Sequence, residues 1–258
     1  MLNKTTIENE IRSLGITPPK IVFYDEIDST NTRAKEYAQG STDKETVIFI
    51  ADSQTGGRGR RGRSFVSNKG SGIYISILTY PDKSGVDATA ATAKAAVSLC
   101  RAIESLCDCE IKIKWVNDLY LGGKKLAGIL TEGEMQEDGK IAYQVVGMGI
   151  NVYKKAISEE ISTIATSLED ECKSIPDRSR LTAQIVKEFL SEESDFYTEY
   201  KARSFIIGKT VTVIKLTESY KAKVLDINPD FSLLIDRDGK TERLFTGEIS
   251  LKINSYKD

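Results

Sequence analysis

The sequence predicts an α+β fold: an apolar β-sheet with flanking helices, followed by a small SH3-like β-barrel. Three observations predict it. Two β-branched, apolar runs, Thr46-Val47-Ile48-Phe49-Ile50-Ala51 and Gly72-Ile73-Tyr74-Ile75-Ser76-Ile77-Leu78, read as buried strands. An alanine-rich stretch over 87–106 and a charged amphipathic stretch from Arg178 to about Ser204 each read as one long helix. The last fifty residues then change to short strands divided by turn residues, the pattern of a small barrel.

Taken in order, 5–14 reads as a short amphipathic helix and 21–24 as a strand. Asp28-Ser29-Thr30-Asn31 supplies N-cap residues for a helix running to about Gln39. The two apolar strands follow, and Pro81 with 82–85 makes a turn into the alanine-rich helix. Ile111-Lys112-Ile113-Lys114-Trp115 alternates as a strand, and Asn117-Asp118 and Gly122-Gly123 read as turns. Residues 126–134 and 142–150 form a hairpin. After the looser stretch beyond Asn151 and the charged helix come strands at 210–214, 222–227, 231–235 and 243–245, with turns at Asn228-Pro229-Asp230 and Asp238-Gly239. The change of character near residue 206 divides the chain into 1–205 and 206–258.

A chain of 258 residues is long enough for one full core and a small second unit. Residues 1–20 are polar, with no apolar stretch for a signal peptide and no run of membrane-spanning length elsewhere, so a cytoplasmic protein without a membrane partner is expected. Four cysteines make no disulfide framework at this length, and Cys107-Asp108-Cys109 has no second pair to complete a zinc site. Cys100 falls at helical spacing with Ala96, Leu99 and Ile103. No histidine is present, which excludes Ser-His-Asp and Cys-His nucleophilic schemes and an imidazole base. Chemistry in this chain must run on electrostatics, positioning, lysine or carboxylate.

Between the two apolar strands lies Gln54-Thr55-Gly56-Gly57-Arg58-Gly59-Arg60-Arg61-Gly62-Arg63-Ser64-Phe65, with four glycines and four arginines over eight positions. Glycine lets a backbone approach a ligand closely, and arginine offers a planar charged fork to carboxylate and phosphate. An anion clamp and a solvated basic loop that binds nucleic acid unselectively both fit the loop by itself. The whole chain has a net charge of −2 and a pI of about 5.6, so its positive charge is local, which suits a small anionic ligand better than a polyanion.

Three further segments stand out. Lys114-Trp115-Val116-Asn117-Asp118 is followed by Lys125-Leu126-Ala127-Gly128-Ile129, where small residues beside a lysine suggest backbone bordering a ligand. Asn117 and Asp118 fit simple turn formers equally well. Gly147-Met148-Gly149-Ile150-Asn151 places glycines inside a strand and an asparagine at its end.

In this order the segments resemble the motifs of the biotin–protein ligases (biotin–acetyl-CoA-carboxylase ligases, holocarboxylase synthetases): Asp-Ser-Thr-Asn at 28–31, the Gly-Arg loop at 57–63, Lys-Trp-x-Asn-Asp at 114–118, Lys-Leu-Ala-Gly-Ile at 125–129 and Gly-x-Gly-x-Asn at 147–151. Gly247-Glu248-Ile249-Ser250 resembles the end of the family's C-terminal domain, so the likeness covers 21–253. Val116 replaces the family's usual proline, and Phe65 stands where many members have a tryptophan that packs on the nucleotide.

The resemblance implies a mixed-sheet catalytic domain at 1–205 and an SH3-like domain at 206–258. It implies ATP and biotin as substrates with Mg²⁺, formation of biotinyl-5′-AMP, and transfer of biotin to a lysine of a biotin carboxyl carrier domain. It assigns catalysis to Lys125 and Arg60. Biotin contacts fall to Ser29, Thr30, Asn31, Gln54, Gly57, Arg58, Gly59, Arg60, Lys125, Gly128, Gly147 and Gly149. Nucleotide contacts fall to Arg61, Arg63, Phe65, Asn117, Asp118 and Asn151, and Asp118 serves either Mg²⁺ or a turn. About twenty residues precede the first core strand, too few for the helix-turn-helix domain of members that repress a biotin operon, so no specific DNA binding is expected. Members often form homodimers; no residue here fixes the oligomeric state. Two other readings stand beside this one: a lipoate-type protein ligase on a related fold, whose glycine motif is not visible, and a non-catalytic nucleic-acid-binding module, which the acidic pI and the Lys125 and Asn117 segments oppose.

Overall fold

The computed structural model describes residues 2–81, 88–137, 140–191, 195–215, 217–245 and 248–250, the last three by backbone. The turn expected over 82–85, the helix start at Asp87, Gly247 and the tail beyond 250 lie outside the described residues.

Seven strands make the larger sheet: β1 (Lys20–Tyr24), β2 (Val47–Ala51), β3 (Gly72–Thr79), β4 (Lys112–Lys114), β5 (Asp118–Leu121), β6 (Lys124–Met135) and β7 (Ile141–Asn151). Their order is β1-β2-β3-β7-β6-β5-β4. The β1–β2 pair is parallel and the others are antiparallel, so the sheet is mixed. β2 is buried along its whole length because both faces are covered. Ile48 and Ile50 face one core with Ile73, Ile75 and Ile77 of β3. Val47 and Phe49 face the other with Leu78 and Val145.

The first core is capped by α1 (Lys4–Ser13), α3 (Ala88–Glu104), α5 (Arg178–Leu190) and α6 (Phe196–Arg203). Asn3 caps α1 by accepting from the Thr6 amide at 2.9 Å, and Ile7 and Ile11 turn one stripe inward. Alanines let α3 lie close to the sheet. The second core is closed by α2 (Thr30–Gly40) through Ala34 and Ala38, one turn apart. A buried ion pair fixes the start of α5, with Arg178 Nη1 donating to Asp52 Oδ1 at 2.7 Å and to the Gly72 carbonyl at 3.0 Å. Each isoleucine or phenylalanine buried in these layers contributes about 1.5–3 kcal/mol. The short α4 (Leu168–Glu171) precedes Cys172.

The second sheet holds β8 (Thr210–Ile214), β9 (Ser219–Ile227), β10 (Leu233–Arg237), β11 (Lys240–Leu244) and β12 (Glu248–Ser250), antiparallel in the order β11-β10-β9-β8-β12. Val211, Val213, Val224, Leu233 and Ile235 alternate inward. Asp238 (φ 53°) and Gly239 (φ 80°) make the two-residue turn that joins β10 to β11, as the Asp-Gly pair predicts. The two units meet at Phe231, between β9 and β10, whose carbonyl accepts from Trp115 Nε1 at 2.8 Å and whose ring meets Tyr200 of α6 edge-on at 5.4 Å.

The α+β architecture is the one the sequence predicts, with two local corrections. The charged stretch is two helices, not one: Ser191 is extended (φ −58°, ψ 139°) and Asp195 caps a new helix by accepting from the Thr198 amide at 3.1 Å. Asp118 belongs to a four-residue strand, β5, where turn residues alone were expected. Among the described residues no helix is long and apolar enough to cross a membrane, and no group of three or more His, Cys, Asp or Glu is placed to hold a metal.

Candidate active site

A cavity of about 600 Å³ opens on the α2 side of the larger sheet. Strand periodicity builds its back wall. Val146, Met148 and Ile150 of β7 point into the helix-covered core, so Gly147 and Gly149 between them face the cavity. Gly128 of β6 pairs with Gly149, and Leu130 with Gly147. The glycines make room for specific groups. A Cβ at Gly147 would overlap Asn31 Oδ1, and one at Gly149 would stand 2.6 Å from Phe65 Cε1.

The N-terminus of α2 forms a polar floor. Ser29 occupies the cap position with extended backbone, yet its hydroxyl makes no capping bond and lines the cavity. The Thr30 amide donates to Gln54 Oε1 at 2.9 Å, with the Thr30 hydroxyl 3.1 Å from the same oxygen, which turns the Gln54 Nε2 toward Ser67 Oγ at 3.0 Å. Asn31 lines the cavity with both amide hydrogens engaged. Its Nδ2 donates to Glu132 Oε2 at 2.9 Å and to the Leu130 carbonyl at 3.2 Å, and its Oδ1 accepts from Ser76 Oγ at 2.6 Å. Both amide hydrogens are thus held by the protein, and the second lone pair of Oδ1 is what Asn31 keeps for a ligand.

The arginine loop is a narrow hairpin held at several points. Phe65 N donates to the Gly57 carbonyl at 2.9 Å and Gly59 N to that of Arg63 at 2.7 Å. Arg61 takes the left-handed region (φ 55°) in a single turn over Arg60–Gly62. Arg58 Nη2 reaches Glu132 Oε1 at 3.1 Å, Arg60 Nη1 donates to Asn117 Oδ1 at 3.2 Å, and Arg61 Nη1 donates to the Ile214 carbonyl of the second sheet at 3.0 Å. Gly59 and Arg63 also line the cavity.

Opposite the loop, Lys125 Nζ lies 2.6 Å from Asp118 Oδ1 across β5 and β6. Asn117 is pinned in its turn, donating from Nδ2 to the Ile129 carbonyl at 3.0 Å, and follows a cis peptide between Trp115 and Val116. Lys124, which opens β6, donates to the Ser162 carbonyl at the rim at 2.7 Å. The lining carries Arg58, Arg60, Arg61, Arg63, Lys114, Lys124 and Lys125 against one carboxylate, Asp118. Such a wall attracts anions.

Of the residues singled out from the sequence, Ser29, Thr30, Asn31, Gln54, Arg58, Gly59, Arg60, Arg61, Arg63, Phe65, Asn117, Asp118, Lys125, Gly128, Gly147 and Gly149 all meet at this cavity. Gly57 and Asn151 do not line it. A Cβ at Gly57 would overlap the Phe65 carbonyl, so this glycine serves the close approach of the two arms of the loop. Asn151 is buried and donates to the Thr166 carbonyl at 3.2 Å. Ser76 and Glu132 were not singled out, and Lys114, which lines the cavity, was named only within its motif and given no role. Period-two spacing from the cavity-facing glycines was the available signal for Glu132, which falls on the same face of β6 as Gly128 and Leu130.

The sequence model of the biotin/lipoate A/B protein ligase family matches residues 23–151. The bifunctional ligase/repressor BirA of Bacillus spizizenii is 30% identical, over 95% of this chain and 78% of that protein. The biotin–[acetyl-CoA-carboxylase] ligase of Mycobacterium tuberculosis is 28% identical over 86% of this chain and 85% of its own length. The structure of the Aquifex aeolicus biotin protein ligase in complex with biotin and ATP superposes with a TM-score of 0.73 at 27% identity, covering 90% of this chain and 98% of that one. With the family's sequence pattern over 23–151 and a 30% identical relative matched along most of both chains, this protein belongs to the biotin/lipoate A/B protein ligase family.

Proposed function

We propose that the protein joins biotin to a lysine of a biotin carboxyl carrier domain in two steps that use ATP. The observation that carries this reading is one cavity with a hydrogen-bonding floor at Ser29, Thr30 and Gln54 and a cationic wall at Lys125 and the arginine loop. The floor suits the ureido ring, which offers a carbonyl and two N–H groups, and matched buried partners reject analogues that leave one unpaired. A dithiolane ring offers no such partners, so the same floor disfavours lipoate.

In the first step a biotin carboxylate oxygen attacks the α-phosphorus of ATP, the bond to pyrophosphate breaks, and biotinyl-5′-AMP forms. In the second the ε-amine of the acceptor lysine attacks the acyl carbon, the bond to AMP breaks, and the amine gives up a proton. Lys125 is assigned to the carboxylate and α-phosphate oxygens, where its charge offsets the charge that builds in both transition states. Arg60, Arg61 and Arg63 take the phosphates, and Phe65 and Asn117 the nucleoside. Asp118, as the one lining carboxylate, suits a Mg²⁺ ion held mostly by substrate phosphates and water. Such an ion would add charge neutralisation at the phosphates. The division into a catalytic unit at 1–205 and a small β unit at 206–258 is part of the same reading, supported by the two separate sheets.

The test is intact-mass measurement of a carrier domain incubated with the protein, ATP, Mg²⁺ and biotin. One added biotinyl group, and none with lipoate, is expected. An unmodified carrier, or equal modification by lipoate, would overturn the reading.

A further inference from the structure

The hydrogen-bond chain beneath the floor ends on an ion. Glu132 shares the cavity-side face of β6 with Gly128 and Leu130, and its two oxygens have different partners. Oε2 accepts from Asn31 Nδ2 at 2.9 Å, while Oε1 accepts from Lys35 Nζ at 2.8 Å and Arg58 Nη2 at 3.1 Å. Burial alone would push this carboxyl up, but the hydrogen bonds from Lys35 and Asn31 and the charges of Lys35 and Arg58 outweigh it and hold it below the usual carboxylate range. An ionised carboxylate only accepts.

That fixes the sense of everything beyond it. Asn31 turns its Nδ2 hydrogens to Glu132 and Leu130, so its Oδ1 must accept, and the single hydrogen of Ser76 goes there at 2.6 Å. Ser76 Oγ, 2.7 Å from Thr30 Oγ1, is then an acceptor for the Thr30 hydrogen. Gln54 Oε1 is the other acceptor within reach of that hydrogen, at 3.1 Å. Both neighbours of the Thr30 hydroxyl present lone pairs, so its hydrogen stays within the protein and its own lone pairs are what a ligand meets.

We propose that Glu132 is a positioning residue for head-group recognition: acting through Asn31 and Ser76 it makes Thr30 an acceptor for a ligand N–H, and with its second oxygen it holds Arg58 beside the same floor. The inference rests on the biotin reading above, and it predicts a sign. If Glu132 served only to dilute positive charge, removing it would leave the cavity more cationic and tighten both ATP and the biotin carboxylate. As a positioning residue, its loss must weaken biotin and spare ATP.

The experiment is biotin-dependent ATP–pyrophosphate exchange by the full chain, with wild type, Glu132→Gln, Glu132→Ala, Asn31→Ala and the Glu132→Ala/Asn31→Ala double variant. Glu132→Gln keeps the shape but cannot offer acceptors to both sides, so both Glu132 variants should raise KM for biotin about tenfold or more, the range of a lost charged hydrogen bond. KM for ATP should stay within about threefold, which also reports a folded site. The double variant should be no worse than the worse single by more than about threefold, because both act along one chain. An unchanged or lowered KM for biotin, or fully multiplicative effects of Glu132→Ala and Asn31→Ala, would overturn the proposal. A wild-type protein with no biotin-dependent exchange would instead overturn the biotin reading, and this inference with it.

Discussion

Phe65 occupies the space that a side chain at Gly149 would fill, its Cε1 lying 2.6 Å from where a Cβ at 149 would stand. Gly128 on the paired strand is less tight, with a Cβ there 3.3 Å from Lys125 Nζ and 3.7 Å from Phe65 Cε2. Two glycines therefore seat the one aromatic ring of the arginine loop beside the lysine of the opposite wall. The ring is also edge-on to Tyr74 of β3 at 6.4 Å between centroids.

Gly149→Ala should displace that ring, and a displacement of this size at a ligand wall costs about tenfold to a hundredfold in kcat/KM for ATP. Gly128→Ala, whose Cβ would press at 3.3 Å only on the flexible end of Lys125, asks for a smaller shift and should cost less. Exchange kinetics of the two variants check the order. A larger loss for Gly128→Ala would contradict this seating of Phe65.

Arg60 bridges the loop to the opposite wall through Asn117. Arg60→Ala should loosen that closure, so that biotinyl-AMP escapes and modifies bystander lysines. Streptavidin blotting of a bystander protein mixed with the carrier domain reads this directly. Bystander labelling at the wild-type level, with normal carrier labelling, would remove Arg60 from the clamp.

Cys100, Cys107 and Cys109 should be unreactive in the folded protein. Burial, helped by the neighbouring Cys172, pushes the Cys107 thiol up to about 11 and that of Cys109 up to about 12, and burial raises fully buried Cys100 as well. Only the thiolate is nucleophilic, so a raised pKa leaves little of it at pH 8 and more as pH climbs toward 11. Peptide mass mapping after iodoacetamide should show slow labelling of Cys100, Cys107 and Cys109 at pH 8 and rapid labelling of all four cysteines in urea. Fast labelling of Cys107 or Cys109 in the native state would contradict these environments.

Much of the fold was legible because β2 is an unbroken apolar run, the middle of β3 is interrupted only by Ser76, and the hairpin β6–β7 has polar ends. Asp238-Gly239 likewise states its own turn. β5 was not legible: Asn117-Asp118 and Gly122-Gly123 crowd a strand of four residues, and its pairing to β4 and β6 is a tertiary fact. The helix break after Leu190 was hidden because the residues that follow stay polar and charged. Within the site, the arginine loop and Lys125 announced themselves through composition. Asn31 was read as a ligand contact; its protein partners Ser76 and Glu132 lie 45 and 101 residues away, beyond any local pattern. Ser76 reads as a lone serine in an apolar strand, and Glu132 as part of a solvated acidic strand end.

The central claim is that Lys125 supplies the charge needed to join biotin to the α-phosphate. Its ammonium is partnered by Asp118 at 2.6 Å, so an arriving anion competes with one carboxylate rather than meeting a solvated charge. Lys124 is one residue away in sequence but is tied to the Ser162 carbonyl at the rim. The decisive measurement is biotin-dependent ATP–pyrophosphate exchange by Lys125→Ala and Lys124→Ala, with circular dichroism to confirm folding. The predicted result is a loss of about a hundredfold or more for Lys125→Ala and a few-fold at most for Lys124→Ala. Exchange at the wild-type rate by folded Lys125→Ala, or a greater loss from Lys124→Ala, would contradict the account.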